Sequence, residues 1–331
     1  MKQKIKYLFF LCSITLNADQ FSFLFYNDTF AGTDKHFTNG MNFSWIDDSF
    51  EDVEEIKSNS YSSYVHNIIN FIPLNVTDSS KKHSAGISIS QIMVTPEEIS
   101  ISQPQYDDIP YAGYLALAFY MFEWDKRSFK EFRMEFGVVG EESGAEFVQK
   151  TVHSTIGSEE PKGWDNQLGT QITANALFRY GEISWQDDSI YNLNMDWFNH
   201  FGIQAGNFET NAFGGTMFRV GKNYIRNFNL HYPPLKEEAS LLCLDDSHSG
   251  FGWSLNAGIN GELLAYSYIL DEGKNKGYAT DKNIVNVTLY GGADLYYGVH
   301  KLTFFYQSRS PYTKQSNSME TFGGLIYAYQ F

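Results

Sequence analysis

The final stretch of the chain reads Leu325-Ile326-Tyr327-Ala328-Tyr329-Gln330-Phe331. Large apolar or aromatic side chains occupy every second position from Leu325 to Phe331, and Ile326, Ala328 and Gln330 lie between them. Successive side chains of a β-strand point to opposite faces, so a period of two predicts a strand with one continuous apolar face.

The aromatic residue that ends this strand bears on the kind of β-protein. It resembles the terminal insertion signal of bacterial outer-membrane barrels, although a soluble β-sandwich can also end in this way. The chain is 17% aromatic, with 22 Tyr and 28 Phe, yet its mean hydropathy is −0.34. A transmembrane barrel needs this combination, because one face of each strand meets lipid, the other meets a polar lumen, and aromatic girdles mark both interfaces.

The same alternation recurs along the chain. Between residues 283 and 297, Val285, Val287 and Leu289 share one face, whereas Asn286 and Thr288 lie on the other. We predict strands at about 20–27, 38–47, 83–95, 112–124, 130–140, 168–186, 191–208, 212–224, 250–269, 283–297, 300–310 and 319–331. The predicted fold is therefore all-β, an antiparallel transmembrane β-barrel of about 12 strands.

Residues 1–18 have the features of a secretory signal peptide. Three lysines precede a short apolar run, and Leu16-Asn17-Ala18 resembles a cleavage site. Without this segment the excess of acidic over basic residues grows from 15 to 18, which disfavours nucleic acid as a partner. Only Cys243 then remains, so we expect no intramolecular disulfide in the domain formed by residues 19–331.

Strand parity assigns the connections to two sides. Both termini of a bacterial barrel lie in the periplasm, so connections after odd-numbered strands face outward. One of them, 141–167, contains a predicted helix over 143–156, with Ser143 and Glu146 as a capping box and Gly157 as the stop signal. We expect this short extracellular helix to pack on the barrel rim and to direct His153 at the wall.

The predicted helix has two faces. Ala145, Val148, Val152 and Ile156 form an apolar stripe, and a neighbouring face carries Glu146, Gln149 and His153. A histidine can act as a general base near neutral pH, although a histidine near a helix end is often only a surface residue. The first outward connection holds a second polar group, Tyr26-Asn27-Asp28 through Thr38-Asn39-Gly40, which is also typical of an Asx-rich turn.

Motifs spread over most of the chain resemble one family. They are Tyr26-Asn27-Asp28, Phe37-Thr38-Asn39-Gly40, Gln91 with Thr95-Pro96, Asp107-Asp108-Ile109-Pro110-Tyr111-Ala112-Gly113, Gly137-Val138-Val139-Gly140, Gln149, His153-Ser154-Thr155-Ile156-Gly157 and Gly163-Trp164-Asp165-Asn166-Gln167. In this order they resemble the LpxR-like lipid A 3′-O-deacylases of the outer membrane. The resemblance implies a Ca²⁺-dependent hydrolase that removes the 3′-linked acyloxyacyl group from lipid A of lipopolysaccharide.

The resemblance also implies roles for individual residues. His153 matches the catalytic base that activates water, and Asn27, Asp28 and Thr38 match polar residues of the catalytic site. Asp28 and Glu159 are the expected metal ligands. The chain departs from the pattern of some members, because the region 99–103 has neither the lysine found there nor an arginine.

Direct attack by water is favoured because the sequence contains no Gly-x-Ser-x-Gly motif. With few basic side chains nearby, Ca²⁺ is the expected stabiliser of the oxyanion. We expect a monomer among outer-membrane lipids, with the active site facing the outer leaflet. Two alternatives stay open at this point, an outer-membrane phospholipase and a non-enzymatic pore or adhesin.

Overall fold

The computed structural model describes residues 19–31, 37–47, 81–189, 192–226 and 249–331. The predicted signal peptide and Cys243 lie outside these ranges. Within them the chain forms 12 strands: β1 Gln20–Asn27, β2 Phe37–Ile46, β3 Lys82–Val94, β4 Ala112–Trp124, β5 Ser128–Val139, β6 Gln171–Asp187, β7 Asn194–Gly206, β8 Glu209–Lys222, β9 Phe251–Ser267, β10 Val285–Tyr297, β11 His300–Arg309 and β12 Glu320–Gln330. The predicted all-β fold and strand order are confirmed, and each strand end lies within three residues of its predicted position.

The strands close into one antiparallel barrel in which each pairs with its neighbours in sequence. The ring is completed by β1 and β12, whose register runs from Gln20 opposite Gln330 to Asn27 opposite Gly323. A further main-chain hydrogen bond of 2.8 Å joins Phe331 to Asp19. Closure leaves no edge unpaired among these 12 strands of the described ranges, so each of them has main-chain partners on both sides.

Residues alternate along each strand between an apolar outer wall and a polar lumen. In β9, Leu255, Ile259 and Leu263 are about half exposed on the outer wall, whereas Asn256 and Asn260 are buried in the lumen. A soluble protein would place these residue types the other way round. The arrangement is that of a barrel whose outer wall meets lipid.

The lumen is filled with side chains rather than open. Buried ion pairs cross between neighbouring strands, among them Arg179 with Glu131, Arg219 with Asp196, and Lys301 with Asp294. Asp294 also accepts hydrogen bonds from Ser254, Asn256 and Thr303. Each charge of these three pairs thus has a partner that offsets its loss of hydration.

Two helices lie at one end of the barrel, which we call the helix end. They are α1, Ala145–Ile156, between β5 and β6, and α2, Tyr268–Asn275, between β9 and β10. Ile109 and Ile269 from connections at this end share an apolar cluster with Ile92 and Val94 of β3, and they cover the lumen. Among the helices in the described ranges, none is both long enough and apolar enough to cross a membrane.

Candidate active site on the outer wall

The first polar group lies where β1 ends at the helix end. Asn27 is the last residue of β1, and the alternation along the strand assigns it to the outer wall. The following residue, Asp28, is buried and begins a 3-10 turn, Asp28–Ala31. The turn folds against the last strands, because the Tyr306 hydroxyl donates a 2.9 Å hydrogen bond to the carbonyl of Phe30. Asn27 and Asp28 are therefore held by the junction that closes the barrel.

Thr38 lies at an irregularity of β2. Phe37 pairs with Val94 of β3, and Asn39 pairs with the adjacent Met93, so Thr38 is an extra residue in the ladder. Such bulges bend a strand and often occur beside active sites, where they redirect a side chain. The main chain thus places Thr38 near the start of β2, and the structure describes this residue only by its main chain.

Helix α1 begins later than the sequence predicts. Its N-cap is Gly144, in the left-handed region at φ 68°, and this residue has no side chain to accept a capping hydrogen bond. The predicted capping box is wrong, because the Ser143 hydroxyl oxygen accepts a 3.3 Å hydrogen bond from the N–H of Ala145 rather than from Glu146. The same hydroxyl donates to the carbonyl of Gly140 at 2.6 Å, and the Glu146 side chain pairs with Lys150. The predicted end is correct: Gly157, at φ 74°, donates its N–H to the carbonyl of His153.

The helix packs on the outside of the barrel. Its first residue, Ala145, lies over Gly113 of β4, where an added Cβ would come within 2.5 Å of the Ala145 Cβ. Ala145 is buried in a cluster with Met93, Tyr111 and Trp164. The Gln91 side chain of β3 donates a 2.6 Å hydrogen bond to the carbonyl of Ser143, just before the helix. The expected packing on the rim is confirmed, with β3 and β4 as its platform.

The predicted apolar stripe packs at only one end. Ala145 is 1% exposed, but Val152 is 42% and Ile156 is 68% exposed. Phe147, on another side of the helix, is also exposed. The second half of α1 therefore presents uncovered apolar side chains beside His153.

His153 lies in this half of the helix and is partly buried. Its Nδ1 lies 2.6 Å from the main-chain carbonyl oxygen of Glu159. The other ring nitrogen, Nε2, has no hydrogen-bond partner among the described residues. The imidazole is thus fixed at one nitrogen and open at the other, which suits a general base.

The Glu159 side chain is exposed on the loop that follows the helix. Its charge acts on Tyr111, whose hydroxyl donates a 2.9 Å hydrogen bond to the carbonyl of Ile99. Burial raises the pKa of Tyr111 to about 12; the charge of Glu159 adds to this, and a hydrogen bond with the main chain of Gly163 opposes it. Tyr111 therefore stays neutral near pH 7 and acts as a packing and donor group.

The residues expected to hold Ca²⁺ supply suitable atoms but not a complete side-chain cluster. Asp28 and Glu159 offer carboxylate oxygens, the donor type that Ca²⁺ prefers. Among the described ranges, no three Asp, Glu, His or Cys side chains lie close enough together to hold a metal ion. A calcium site here would need amide or main-chain oxygens as well, since Ca²⁺ takes six to eight ligands.

The predicted site residues lie at the helix end of two neighbouring strands, β1 and β2, and in the β5–β6 connection that carries α1. The order β1, β2, β3, β4 places Asn27, Asp28 and Thr38 on strands beside the platform of α1, all at the helix end. Sequence reasoning missed one interaction there, a 2.7 Å hydrogen bond from the Trp164 indole to the Gln149 side chain. Both residues belong to motifs noted in the sequence, but no local pattern indicates that they meet.

A closed barrel with an apolar outer wall, a filled polar lumen and a helix on its wall defines a bacterial outer-membrane protein. The chain belongs to the family described as outer membrane protein LpxR, whose model matches residues 7–331. The chain is similar to the solved structure of LpxR from Salmonella typhimurium, with a TM-score of 0.74 and 15% sequence identity. The match covers 94% of this chain and 100% of that chain. At this identity the likeness shows the fold alone.

The β-domain of the Bordetella autotransporter BrkA is less similar, with a TM-score of 0.48 and 10% identity over 95% of this chain and 100% of that chain. No curated protein sequence matches the chain significantly.

Proposed function

We propose that the chain is a lipid A 3′-O-deacylase, a carboxylic ester hydrolase that removes the 3′-linked acyloxyacyl group from lipid A in the outer leaflet. Membership of the LpxR family supports this proposal. The observation that carries it is the position of His153 on the outside of the barrel, beside the exposed Val152 and Ile156. A lipid ester in the membrane reaches a barrel from its outer wall, so a base placed there suits a lipid substrate.

The proposed chemistry is hydrolysis by water. Nε2 of His153 takes a proton from a water molecule, and the resulting hydroxide attacks the ester carbonyl. When the tetrahedral intermediate collapses, the bond between the acyl carbon and the 3′ oxygen of the sugar breaks, and the imidazolium returns the proton to that oxygen. The products are a free acyloxyacyl acid and lipid A with a 3′ hydroxyl group.

Asn27, Asp28 and Thr38 are proposed to line the site and to bind the polar part of the substrate. Ca²⁺, with Asp28 and Glu159 among its ligands, would supply positive charge for the oxyanion and for the phosphorylated headgroup. Such a cation would also offset repulsion between an acidic protein and an anionic glycolipid.

One experiment tests the substrate class. The purified full-length protein is assayed in mixed micelles on lipid A and on a glycerophospholipid, with mass spectrometry of the products. We expect loss of the 3′ acyloxyacyl group from lipid A and an unchanged phospholipid. Hydrolysis of the phospholipid alone would replace the proposal with the phospholipase alternative.

The filled lumen does not favour the pore alternative, because buried ion pairs such as Arg179 with Glu131 occupy its wall. A pore would also give the exposed apolar half of α1 no function. The adhesin alternative makes its own prediction, host-surface binding that does not depend on His153.

A further inference from the structure

The hydrogen bond of His153 identifies which ring nitrogen carries the proton. The partner of Nδ1 is the carbonyl oxygen of Glu159, at 2.6 Å. A carbonyl oxygen only accepts hydrogen bonds, so Nδ1 must be the donor. In the neutral imidazole, Nε2 then has the free lone pair that a general base needs.

The loop that carries this carbonyl is anchored by two hydrogen bonds, one to the β3–β4 connection and one to the helix. After Glu159 the main-chain N–H of Lys162 donates to the carbonyl of Ile99 at 2.8 Å. Two residues further, the Trp164 indole donates to Oε1 of Gln149 at 2.7 Å. Gln149 lies one turn before His153 on α1, so the second bond joins the loop directly to the helix that carries the imidazole.

The Gln149–Trp164 pair has a defined orientation. An indole N–H can only donate, so Oε1 of Gln149 must face Trp164 and Nε2 must point away. Nε2 is buried and has no acceptor among the described residues. Burying an unpaired donor reduces stability, so packing alone does not account for an amide at this position.

We propose that Gln149 and Trp164 are positioning residues, which hold the Glu159 carbonyl against Nδ1 of His153 so that Nε2 always presents its lone pair to the site. This inference rests on the proposed function, because it assigns a role within the same hydrolysis. The ring of Trp164 also packs on Tyr111, with ring centroids 5.0 Å apart, and this contact helps to fix the loop. Glu159 acts here through its main chain, independently of its carboxylate.

The first test measures the tautomer of His153. The full-length protein is labelled with ¹⁵N-histidine in detergent micelles, and the imidazole nitrogen shifts are recorded at a pH where the ring is neutral. Comparison with His153→Gln assigns the signals. We expect a single tautomer protonated at Nδ1, and a ring protonated at Nε2 or a mixture in the wild type would overturn the proposal.

The second test removes the indole donor. Trp164→Phe keeps an aromatic ring beside Tyr111 but loses the hydrogen bond to Gln149. We expect a mixture of tautomers and a kcat reduced about tenfold, with KM unchanged. The matched control is Trp197→Phe, on the outer wall of β7, which should change neither property. A single Nδ1–H tautomer and a wild-type kcat in Trp164→Phe would overturn the proposal.

Two further variants complete the test. The first serves if Trp164→Phe does not fold, and the second examines the side chain of Glu159. Gln149→Met removes the acceptor with little change in side-chain length and should reproduce the tautomer mixture of Trp164→Phe. A single tautomer in Gln149→Met would overturn the positioning role of the Gln149–Trp164 hydrogen bond. Glu159→Gln retains the carbonyl, so His153 should keep its single tautomer, and its loss would overturn the main-chain role. Because the tautomer is read without substrate, a protein inactive on lipid A would refute the proposed function and leave this inference separately testable.

Discussion

Tyr114 of β4 and Phe208 of the β7–β8 turn stack face to face inside the barrel, with ring centroids 3.8 Å apart and an interplanar angle of 8°. The Tyr114 hydroxyl donates a 2.5 Å hydrogen bond to Glu135, which also accepts one of 2.8 Å from Asn175. The pair and its polar partners form a layer of buried side chains at the helix end. Tyr114 and Phe208 belong to the same apolar cluster as Ile109 and Ile269, which covers the lumen at this end.

This layer predicts a protein without a stable open channel. In planar lipid bilayers the full-length protein should give no steady ion conductance. Phe208→Ala should lower stability by roughly 3 kcal/mol, because it leaves a cavity beside Tyr114. Conductance is measured by single-channel recording and stability by urea unfolding. A steady, reproducible conductance in the wild type would support the pore alternative.

Replacement of His153 tests the proposed base. His153→Ala should reduce release of the 3′ acyl group about a hundredfold or more, because it removes the proposed general base. Lipid A profiles by mass spectrometry measure the loss, and circular dichroism checks that the barrel assembles. The matched control is His300→Ala, whose imidazole bonds to Tyr327 at the opposite end of the barrel. An unchanged profile in His153→Ala would falsify the proposed mechanism.

A methyl group at position 113 should lift α1 from the wall. In Gly113→Ala the new Cβ would come within 2.2 Å of the Ser143 hydroxyl oxygen, so the start of the helix must move. Misplacement of a catalytic group by about 1 Å can cost roughly a hundredfold in rate. We expect a loss of between tenfold and a hundredfold in kcat/KM, measured on purified protein.

The control for this change is a second strand glycine. Gly291→Ala in β10 adds a methyl group that would meet nothing within 4 Å, so its activity should equal that of the wild type. Equal activities of Gly113→Ala and Gly291→Ala would show that catalysis does not depend on how α1 packs against β4.

Removal of divalent cations tests the proposed cofactor. Excess chelator should abolish deacylation, and added Ca²⁺ should restore it. Asp28→Asn should raise the Ca²⁺ concentration needed for half-maximal rate, because a neutral amide binds Ca²⁺ more weakly than a carboxylate. Titration of activity against free Ca²⁺ measures both effects. Full activity in excess chelator would exclude the metal from the mechanism and leave the fold untouched.

The strands could be predicted from sequence because lipid and lumen impose opposite requirements on alternate residues. Segments such as β10 and β12 therefore show a sequence pattern with a period of two. This pattern predicts the ends of the strands to within a few residues. The end of α1 could also be predicted, since Gly157 readily adopts the left-handed conformation that stops a helix. The start of α1 was not predicted correctly, because Gly144 takes the N-cap position and Ser143 lies one residue before it.

The site was only partly predictable for a related reason. His153 and Asn27 lie in distinctive motifs, and strand parity placed them at one end of the barrel. The extra residue at Thr38 depends on the register between β2 and β3, which periodicity alone does not fix. The Trp164–Gln149 bond depends on the path of a loop, and the tautomer of His153 depends in turn on that path.

The pairing of β12 with β1 has a consequence for biogenesis. The two strands that seal the ring lie about 300 residues apart in the chain, and β1 has only one neighbour until β12 is made. Export must therefore deliver a chain whose first strand edge is unprotected and prone to pair with other molecules. A periplasmic holding factor and an insertion machinery that accepts the aromatic last strand would meet this need. Deletion of β12 should accordingly yield aggregate in the periplasm rather than a smaller barrel.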